Sequence, residues 1–301
     1  MKKKITVVIV TYKTNRNILA KCLASIDKKI KIIIVENSKK FEDRKYLIKR
    51  FKNLKILCSG YNLGYGRGNN FGLKKVKTKY ALILSPDAFC SKNFFINLNK
   101  NLKNIKDFYL MGCADSKSKK IYTAGFFDKD KNLNFEKMVN SKKINLLTKV
   151  DWIRGFSIVL NLEKFKNLNI FDKNYFLFME EIDLCKSIKE KSGNIYFAKN
   201  LKVNHLGFKG SIGASNSNIN SAENLRNWHY MWSSFYFYRK NYSYFFSIKK
   251  MFGKFIRSFL KLLFYSFTFK KKERNKYLYR FLGILSSMIG LPSYFRDNKF
   301  Y

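Results

Sequence analysis

The sequence is long and strongly basic: it has 301 residues, with 61 lysines and arginines against 20 acidic residues, and a formal net charge of +41. Hydrophobic residues make up 46% and aromatic residues 17%, which excludes a disordered chain and allows one large domain or two modest ones. The sequence lacks both the run of about 18 apolar residues that a spanning helix needs and the pattern of a signal peptide. We therefore predict a cytoplasmic protein.

The excess of basic residues favours an anionic partner. These residues are spread along the chain, without the zinc-finger spacing or the aromatic RRM motif of nucleic-acid-binding modules. An anionic membrane surface or an anionic substrate is therefore the preferred partner, and no nucleic acid is expected. The five cysteines are dispersed without CxxC spacing, which predicts buried free thiols: Cys22, Cys58, Cys90, Cys113 and Cys185.

The N-terminal part predicts strands that alternate with helices. Residues 5–10 and 31–35 are β-branched, apolar runs typical of buried parallel strands. Between them, apolar residues at helical spacing follow a capping loop at 11–15. A second helix over about 41–52 precedes a short strand at 55–58. This alternation indicates an α/β fold with a mainly parallel central sheet flanked by helices.

A glycine-rich segment, Asn-Leu-Gly-Tyr-Gly-Arg-Gly-Asn-Asn, follows at residues 62–70 and opens a helix. Its glycines predict either a plain turn or a close backbone approach to a phosphate-bearing ligand. In the second case the helix N–H groups and Arg67 are available to that ligand. The segment is not a dinucleotide-binding fingerprint, because the strand–GxGxxG–helix spacing and the later acidic residue are both missing.

An apolar run at residues 80–84 ends abruptly in Ser85-Pro86-Asp87. Proline cannot donate to a sheet ladder, so the strand stops there, and the three residues by themselves predict a turn. Ligands of open α/β sheets bind outside the carboxyl ends of the strands. Asp87 is therefore also a candidate to contact a metal or a substrate.

Further strands are predicted at 108–113 and 121–127, and the polar, lysine-rich residues 128–148 predict a loop. A charged and aromatic lead that includes Asp151 and Trp152 then enters an apolar strand.

A second group of acids, Glu180, Glu181 and Asp183, directly follows a bulky apolar run and opens a helix. Acids favour a helix N-terminus electrostatically, which is a sufficient structural reason for them. A carboxylate beside an apolar run can also be partly desolvated, which raises its pKa and suits a general base. Of the two histidines, His205 follows the next strand and His229 lies further on, and the residues alone favour a structural role for both.

From about residue 221 the sequence becomes aromatic and basic. Residues 249–263 predict a two-faced helix, with Phe252, Phe255, Phe259 and Leu262 on one side and Lys250, Lys254, Arg257 and Lys261 on the other. Such a helix either lies on an anionic membrane or packs its phenylalanines on the rest of the protein. A second apolar run, at 281–291, is too short to span a membrane. We predict one domain over residues 1–220 and a helical extension, with possible membrane-surface association, over 221–301.

Seven segments together resemble family 2 glycosyltransferases with the GT-A fold, most closely the rhamnosyltransferase-like bacterial branch. They occur in the family's order across residues 5–210: Val8–Tyr12, Val35–Ser38, Asn62–Asn70, Ser85–Ala88, Val150–Gly155, Phe178–Cys185 and Val203–Gly207. The resemblance implies an inverting, metal-dependent enzyme. It would move a sugar, with rhamnose among the candidates, from a nucleotide-diphosphate-sugar donor to a glycan or lipid-linked glycan acceptor. This activity would serve cell-surface polysaccharide synthesis, at the inner face of the cell membrane.

The resemblance also assigns site residues. Those on the nucleotide side would be Thr11, Tyr12, Glu36, Arg67, Asn70 and Asp87. The metal, Mg²⁺ or Mn²⁺, would be held by Asp87 and His205. Glu181 would be the catalytic base with Asp183 behind it, and Asp151 and Trp152 would lie on the acceptor side.

Three positions depart from the family's usual pattern. The family usually has aspartate where Glu36 stands, asparagine where Ser85 stands and aspartate where Glu181 stands. The last difference leaves Glu181 and Asp183 both open as the base, with Glu181 preferred. The alternatives to a transferase are a non-catalytic nucleotide- or membrane-binding protein on the same scaffold, and a nucleotidyltransferase.

Overall fold

A computed structural model describes residues 4–116, 123–141, 143–207 and 216–296. Its strands are β1 (Ile5–Thr11), β2 (Lys31–Glu36), β3 (Leu54–Cys58), β4 (Tyr80–Leu84), β5 (Ala88–Cys90), β6 (Leu110–Asp115), β7 (Ala124–Gly125), β8 (Leu147–Lys149), β9 (Trp152–Ile153), β10 (Ser157–Asn161) and β11 (Ile195–His205). Its helices are α1 (Arg16–Ala24), α2 (Arg44–Arg50), α3 (Gly64–Leu73), α4 (Phe94–Asn104), α5 (Lys129–Asn140), α6 (Glu180–Glu190), α7 (Asn216–Asn241), α8 (Tyr244–Phe267) and α9 (Lys271–Met288), with a 3₁₀ turn at Leu162–Lys164.

Within the described residues, nine strands form one sheet in the order β3-β2-β1-β4-β10-β6-β11-β5, and β8 pairs with β11. Strands β1, β2, β3, β4, β6 and β11 run in one direction, whereas β5, β8 and β10 run in the other. The mainly parallel central sheet expected from the alternating pattern is therefore confirmed. The two remaining short strands, β7 and β9, pair separately.

The core lies on both faces of this sheet. Side chains of successive strand residues point to opposite faces, so Val7 packs in the same layer as Leu19 of α1 and Phe94 of α4. Val8 packs in the other layer, with Leu73 of α3. This is why β1 is apolar on both faces, as its sequence indicated. Four of the five cysteines are buried, and Cys58 is partly exposed.

The prediction of a loop over residues 128–148 is wrong for its first part, because α5 occupies Lys129–Asn140. Asp128 caps this helix, its Oδ1 accepting a hydrogen bond of 2.8 Å from the backbone N–H of Lys131. Phe135 and Val139, four residues apart, are both buried in the core. The cap and this spacing together indicate a helix, and the many lysines on its exposed side obscured that signal.

The glycines of the segment 62–70 lie in α3 and permit close packing of protein against protein. A Cβ atom added to Gly64, where φ is +78°, would lie 2.2 Å from the carbonyl oxygen of Phe176. At Gly68 it would lie 2.9 Å from Cγ1 of Val10. The N–H groups of the first turn are also used by the protein, since Tyr65 N–H donates to the Phe176 carbonyl at 3.0 Å. Close packing within the protein is therefore a sufficient reason for glycine at positions 64 and 68.

Helices α7, α8 and α9 pack against one another and against the segment before α6. The hydroxyl of Ser233 on α7 donates to the carbonyl of Leu177 at 2.8 Å. His229 is buried between the ring of Phe176 and the C-terminal segment, where Nε2 lies 2.8 Å from the Phe295 carbonyl oxygen. Burial lowers the pKa of His229 to about 3, so the ring is neutral and structural. Among the described residues, no helix is long and apolar enough to cross a membrane.

Candidate functional site

Asp87 and His205, which are 118 positions apart in the chain, meet because β5 and β11 pair. Ala88 lies opposite His205 in this antiparallel register. The turn at Ser85-Pro86-Asp87 is closed by a hydrogen bond of 3.0 Å from Ala88 N–H to the Ser85 carbonyl. Asp87 is only 3% exposed, and its Oδ1 lies 3.4 Å from Nε2 of His205. The turn predicted from the sequence thus orients this carboxylate.

Phe156 holds the imidazole of His205 in place. The two rings are stacked, with centroids 4.9 Å apart and planes 13° from parallel. The backbone of Phe156 also contacts the turn, because its carbonyl accepts a hydrogen bond of 2.8 Å from Ser85 N–H. One residue therefore joins the histidine to the strand end that carries Asp87.

The carboxylate of Asp87 and the imidazole of His205 fit a divalent cation. Mg²⁺ and Mn²⁺ accept hard oxygen ligands, and an imidazole is more usual around Mn²⁺. The described part of the chain has no group of three or more histidine, cysteine or acidic side chains that could hold an ion. An ion between Asp87 and His205 would therefore also need oxygen ligands from a substrate, as Mg²⁺ has when it bridges substrate phosphates.

Glu181 lies beside Gly155, the residue before Phe156. A Cβ atom added to Gly155 would lie 3.5 Å from the carboxyl carbon of Glu181. Phe156 stacks on His205. Glu181 and the Asp87–His205 pair therefore contact adjacent residues, Gly155 and Phe156, in the segment that leads into β10. The fold thus brings together the two acidic segments that the sequence analysis singled out.

An unusual backbone conformation precedes Glu180 and Glu181. Phe178 and Met179 have φ angles of +71° and +69°, which residues other than glycine rarely adopt. Such residues cost about 1–2 kcal/mol each and persist where the surrounding structure imposes them. Here the hydrogen bond from Tyr65 N–H to the Phe176 carbonyl and that from Asp183 N–H to the Met179 carbonyl fix the turn from both sides. The turn sets the direction in which α6 begins.

The two glutamates of this turn have different surroundings. Glu180 is 3% exposed, and its Oε2 has no hydrogen-bond partner among the described residues. Burial, and then the neighbouring charge of Glu181, raise the pKa of Glu180 well above its ordinary value. Burial also raises the pKa of Glu181, but helix N–H groups, the N–H of Gly155 and the charge of Arg154 oppose this rise. Glu181 is also partly exposed. Of the two neighbouring glutamates, Glu180 is therefore the one whose protonated form is favoured more strongly, and Glu181 is the one that ionises more readily.

The buried carboxylate of Asp183 forms an ion pair with Lys240, which is about one third exposed. Its Oδ2 lies 2.6 Å from Nζ of Lys240, and its Oδ1 accepts hydrogen bonds from Asn241 at 2.9 Å and from Tyr175 at 3.3 Å. The side chain is 2% exposed. These contacts join α6 to α7, so the position of Asp183 supports a structural role.

On the nucleotide side, Thr11 and Glu36 end the neighbouring strands β1 and β2. The Thr11 hydroxyl donates to Oε2 of Glu36 at 2.6 Å, and Ser38 donates to Oε1 at 2.8 Å. Burial raises the pKa of Glu36 although both hydrogen bonds lower it. Glu36 is 2% exposed, so it fixes the loops around it, whereas Tyr12 is partly exposed directly after β1.

Arg67 and Asn70, both on α3, have different partners. The amide of Asn70 is occupied by the backbone of Phe171, donating to its carbonyl at 2.8 Å and accepting from its N–H at 3.0 Å. The guanidinium of Arg67 donates to the hydroxyl of Tyr61 at 3.1 Å and lines a cleft towards α7. The side chain of Asn70 is therefore committed to a contact within the protein, whereas that of Arg67 faces the cleft.

Asp151 and Trp152, assigned to the acceptor side, pack against β7 and α6. Asp151 Oδ1 lies 3.1 Å from Nζ of Lys189, and Trp152 Nε1 donates to the Phe126 carbonyl at 3.1 Å. Arg154 was not among the residues selected from the sequence, although its charge acts on Glu181. Its place directly before Gly155 is the sequence signal that could have indicated it.

The fold is that of the GT-A glycosyltransferases. The fold resembles GalNAc-T7, solved with UDP, GalNAc and Mn²⁺ (TM-score 0.56, 15% identity, 76% of this chain and 50% of that one). It also resembles the mannosyltransferase PcManGT from Pyrobaculum calidifontis, solved with GDP-Man and Mn²⁺ (TM-score 0.53, 10% identity, 95% of this chain and 87% of that one).

Residues 6–163 match the glycosyl transferase family 2, and the chain belongs to that family. It is similar to the rhamnosyltransferase WbbL of Escherichia coli (strain K12), with 27% identity over 170 residues that cover 51% of this chain and 64% of WbbL. It is also similar to the low-salt glycan biosynthesis hexosyltransferase Agl10 of Haloferax volcanii, with 21% identity over 210 residues, 64% of this chain and 63% of Agl10. The matches thus span less than two thirds of either relative.

Proposed function

We propose that this protein is an inverting, metal-dependent glycosyltransferase that moves a sugar from a nucleotide-diphosphate donor to a glycan or lipid-linked glycan, in cell-surface polysaccharide synthesis. The observation that carries the proposal is the position of Glu181. Its carboxyl group lies against Gly155, next to the residue that stacks on His205 of the Asp87–His205 pair. A general base at Glu181, close to a pair of residues that would hold the metal for the donor diphosphate, suits sugar transfer.

In this mechanism Glu181 accepts the proton of the acceptor hydroxyl as its oxygen bonds to the anomeric carbon of the donor. The bond from that carbon to the diphosphate breaks, and the nucleotide diphosphate leaves with the electron pair. Attack by one base-activated hydroxyl opposite the leaving group inverts the anomeric configuration. Asp87 and His205 would hold Mg²⁺ or Mn²⁺, which when bound neutralises negative charge on the leaving diphosphate. Thr11, Tyr12 and Glu36 shape the nucleoside side.

The choice of Glu181 over Asp183 as the base is part of the proposal. Asp183 would have to leave Lys240, 2.6 Å away, before it could take a proton. Glu181 needs no such change, and its raised pKa brings it closer to the range in which a general base works best. Asp183 therefore supports the turn through α7.

The test is a panel of nucleotide-sugar donors, beginning with a rhamnose donor because of the similarity to WbbL. Nucleotide release is measured with Mn²⁺, with Mg²⁺ and with a chelator. We expect release with one donor, loss of release with the chelator, and loss in Asp87→Asn and Glu181→Gln. Donor binding without turnover in every arm would instead favour the non-catalytic alternative, and full activity of Asp87→Asn would contradict its metal role.

We also propose that the helical extension, residues 221–301, lies on an anionic membrane surface. Helix α8 buries Met251 against α7 and α9 but leaves a strip of large apolar side chains exposed: Phe245, Phe252, Leu260, Phe264 and Phe267. At 3.6 residues per turn, cations lie between this strip and the buried face: Lys250, Lys254, Arg257 and Lys261. An apolar strip beside cations is typical of helices at the headgroup boundary.

Co-sedimentation with vesicles that contain phosphatidylserine tests this association. Phe252→Ser combined with Phe264→Ser should reduce the fraction of protein bound to vesicles, because it removes apolar surface from the strip. Both side chains are more than half exposed, so we expect the double variant to keep the fold. The matched control is Ile96→Ser on α4, which removes a side chain of 58% exposure far from α8 in the chain. Equal binding of the double variant and the control would contradict the proposal.

A further inference from the structure

A cleft of about 590 Å³ lies between α3 and the C-terminal helices, and its lining residues do not include Asp87, His205 or Glu181. One wall consists of Arg67 on α3 and the loop at 173–176. The other consists of α7 and the segment that follows α9, up to Arg296. A volume of this size is within the range of small-molecule sites, roughly 300–1,000 Å³. The cleft exists because the C-terminal helices pack on the catalytic part of the chain.

The charge of this cleft is strongly one-sided. Five of the sixteen lining residues are cationic and none of those described is acidic; the five are Arg67, Lys173, Arg239, Lys240 and Arg296. Lys240 is neutralised behind the wall by Asp172 and Asp183.

Three of the five cations have no acidic partner among the described residues: Arg67, Lys173 and Arg239. Arg67 contacts the Tyr61 hydroxyl, and the guanidinium of Arg239 lies 5.7 Å from the centre of the Tyr244 ring. Such contacts with tyrosine orient the guanidinium groups but do not neutralise them. Gathering like charges in one concave site is unfavourable unless an anion binds there.

Most of the other lining residues are aromatic or apolar, and Asn174, Ser287 and Ser293 are polar. Trp232 and Tyr236 stack with their centroids 4.9 Å apart and form one side. Leu291 lines the cleft and Ile289 lies two residues before it, with 41% and 64% of these side chains exposed. A cationic interior beside exposed apolar side chains suits an anion that carries an apolar portion.

We propose that this cleft binds a phosphate or diphosphate ester as a second ligand site, separate from the donor site. Arginine presents a planar fork of donors that matches phosphate oxygens, and lysine adds a point charge. Three cations without an acidic partner among the described residues, Arg67, Lys173 and Arg239, match a diphosphate better than a single carboxylate. The same chemistry is found in a soluble phosphate ester and in the phosphate headgroup of a lipid, and the experiment separates these two sources.

Binding of inorganic pyrophosphate is measured by isothermal titration calorimetry in a chelating buffer, so that a metal-dependent donor site contributes nothing. The cleft variant combines Lys173→Gln with Arg239→Gln. The matched control combines Arg44→Gln with Lys45→Gln, which removes the same two charges from exposed positions on α2. Arg67→Gln is a second, single cleft variant, and Asp87→Asn reports on the proposed metal site. Thermal unfolding verifies that each variant is folded.

We expect wild type, the α2 control and Asp87→Asn to bind pyrophosphate alike, and the cleft variants to bind about tenfold more weakly or worse. A second arm uses phosphatidylcholine vesicles with and without phosphatidic acid, whose headgroup is a phosphate monoester. If only the cleft variants lose binding of pyrophosphate, the result supports a soluble phosphate ester as the ligand. If only the cleft variants lose binding to vesicles with phosphatidic acid, the result supports a lipid headgroup. Equal behaviour of cleft and α2 variants in both arms, or loss of pyrophosphate binding in Asp87→Asn, overturns the proposal. Since no donor is used, the result is independent of the proposed transferase activity.

Discussion

Glu181 and Asp183 are two residues apart, yet we expect their amide variants to fail for opposite reasons. Glu181→Gln should abolish most of the turnover and leave the fold stable. A general base contributes about 10²–10⁴-fold to the rate, which corresponds to about 3–5 kcal/mol of transition-state stabilisation. The stability of this variant should change little, because Glu181 is partly exposed.

Asp183→Asn should instead destabilise the protein. The carboxylate is buried and accepts hydrogen bonds from Lys240, Asn241 and Tyr175. Breaking a fully buried ion pair costs about 3–5 kcal/mol. Lys240 is about one third exposed and keeps its contact with Asp172 at 2.8 Å, so we expect a smaller loss of about 2 kcal/mol. For a chain of 301 residues, that lowers the unfolding temperature by about 3 °C.

The assay pairs thermal unfolding of each variant with nucleotide release, using the donor that the panel identifies. Glu180→Gln is the matched control for Glu181→Gln, because burial favours the protonated, neutral form of Glu180 and glutamine is neutral with nearly the same shape. It should retain activity close to that of wild type. The reasoning is refuted if Asp183→Asn keeps its unfolding temperature but loses turnover while Glu181→Gln remains active.

Two further predictions concern electrostatics and packing. Arg154→Gln should move the acid limb of the pH profile of kcat/KM to higher pH. The charge of Arg154 lowers the pKa of Glu181, and the base must be ionised to act. Arg154→Lys keeps the positive charge and should return the acid limb to its wild-type pH. An acid limb that stays at the wild-type pH in both variants would show that Arg154 does not act on the base. Gly64→Ala should destabilise the fold by about 2 kcal/mol or more, since φ is +78° and the new Cβ would lie 2.2 Å from the carbonyl oxygen of Phe176. Gly253→Ala on α8, with nothing within 4 Å of the new Cβ, should stabilise it by about 0.4–1 kcal/mol in the same denaturation experiment; equal effects of the two alanines would contradict the packing argument.

The sequence by itself determined the elements whose signals are local. The β-branched runs predict the strands β1 and β2, and Pro86 predicts the end of β4, because each depends only on a few neighbouring residues. The order of seven short segments was enough to indicate the family, and the family match confirms that interpretation. The helix α5 was missed because its lysines concealed an apolar side formed by only Phe135 and Val139.

Only the tertiary structure decided which side chains meet. His205 reaches Asp87 through the pairing of β5 with β11, and Asp183 meets Lys240 across 57 positions of the chain. The separate surroundings of Glu180 and Glu181, adjacent in sequence, arise from the turn before α6 and from the approach of Gly155. Such contacts depend on how distant elements pack, and burial then sets the charge of each carboxyl group. For this reason the sequence could propose two possible bases, whereas only the packing of α6 against α7 shows that Asp183 is held by Lys240 and Asn241.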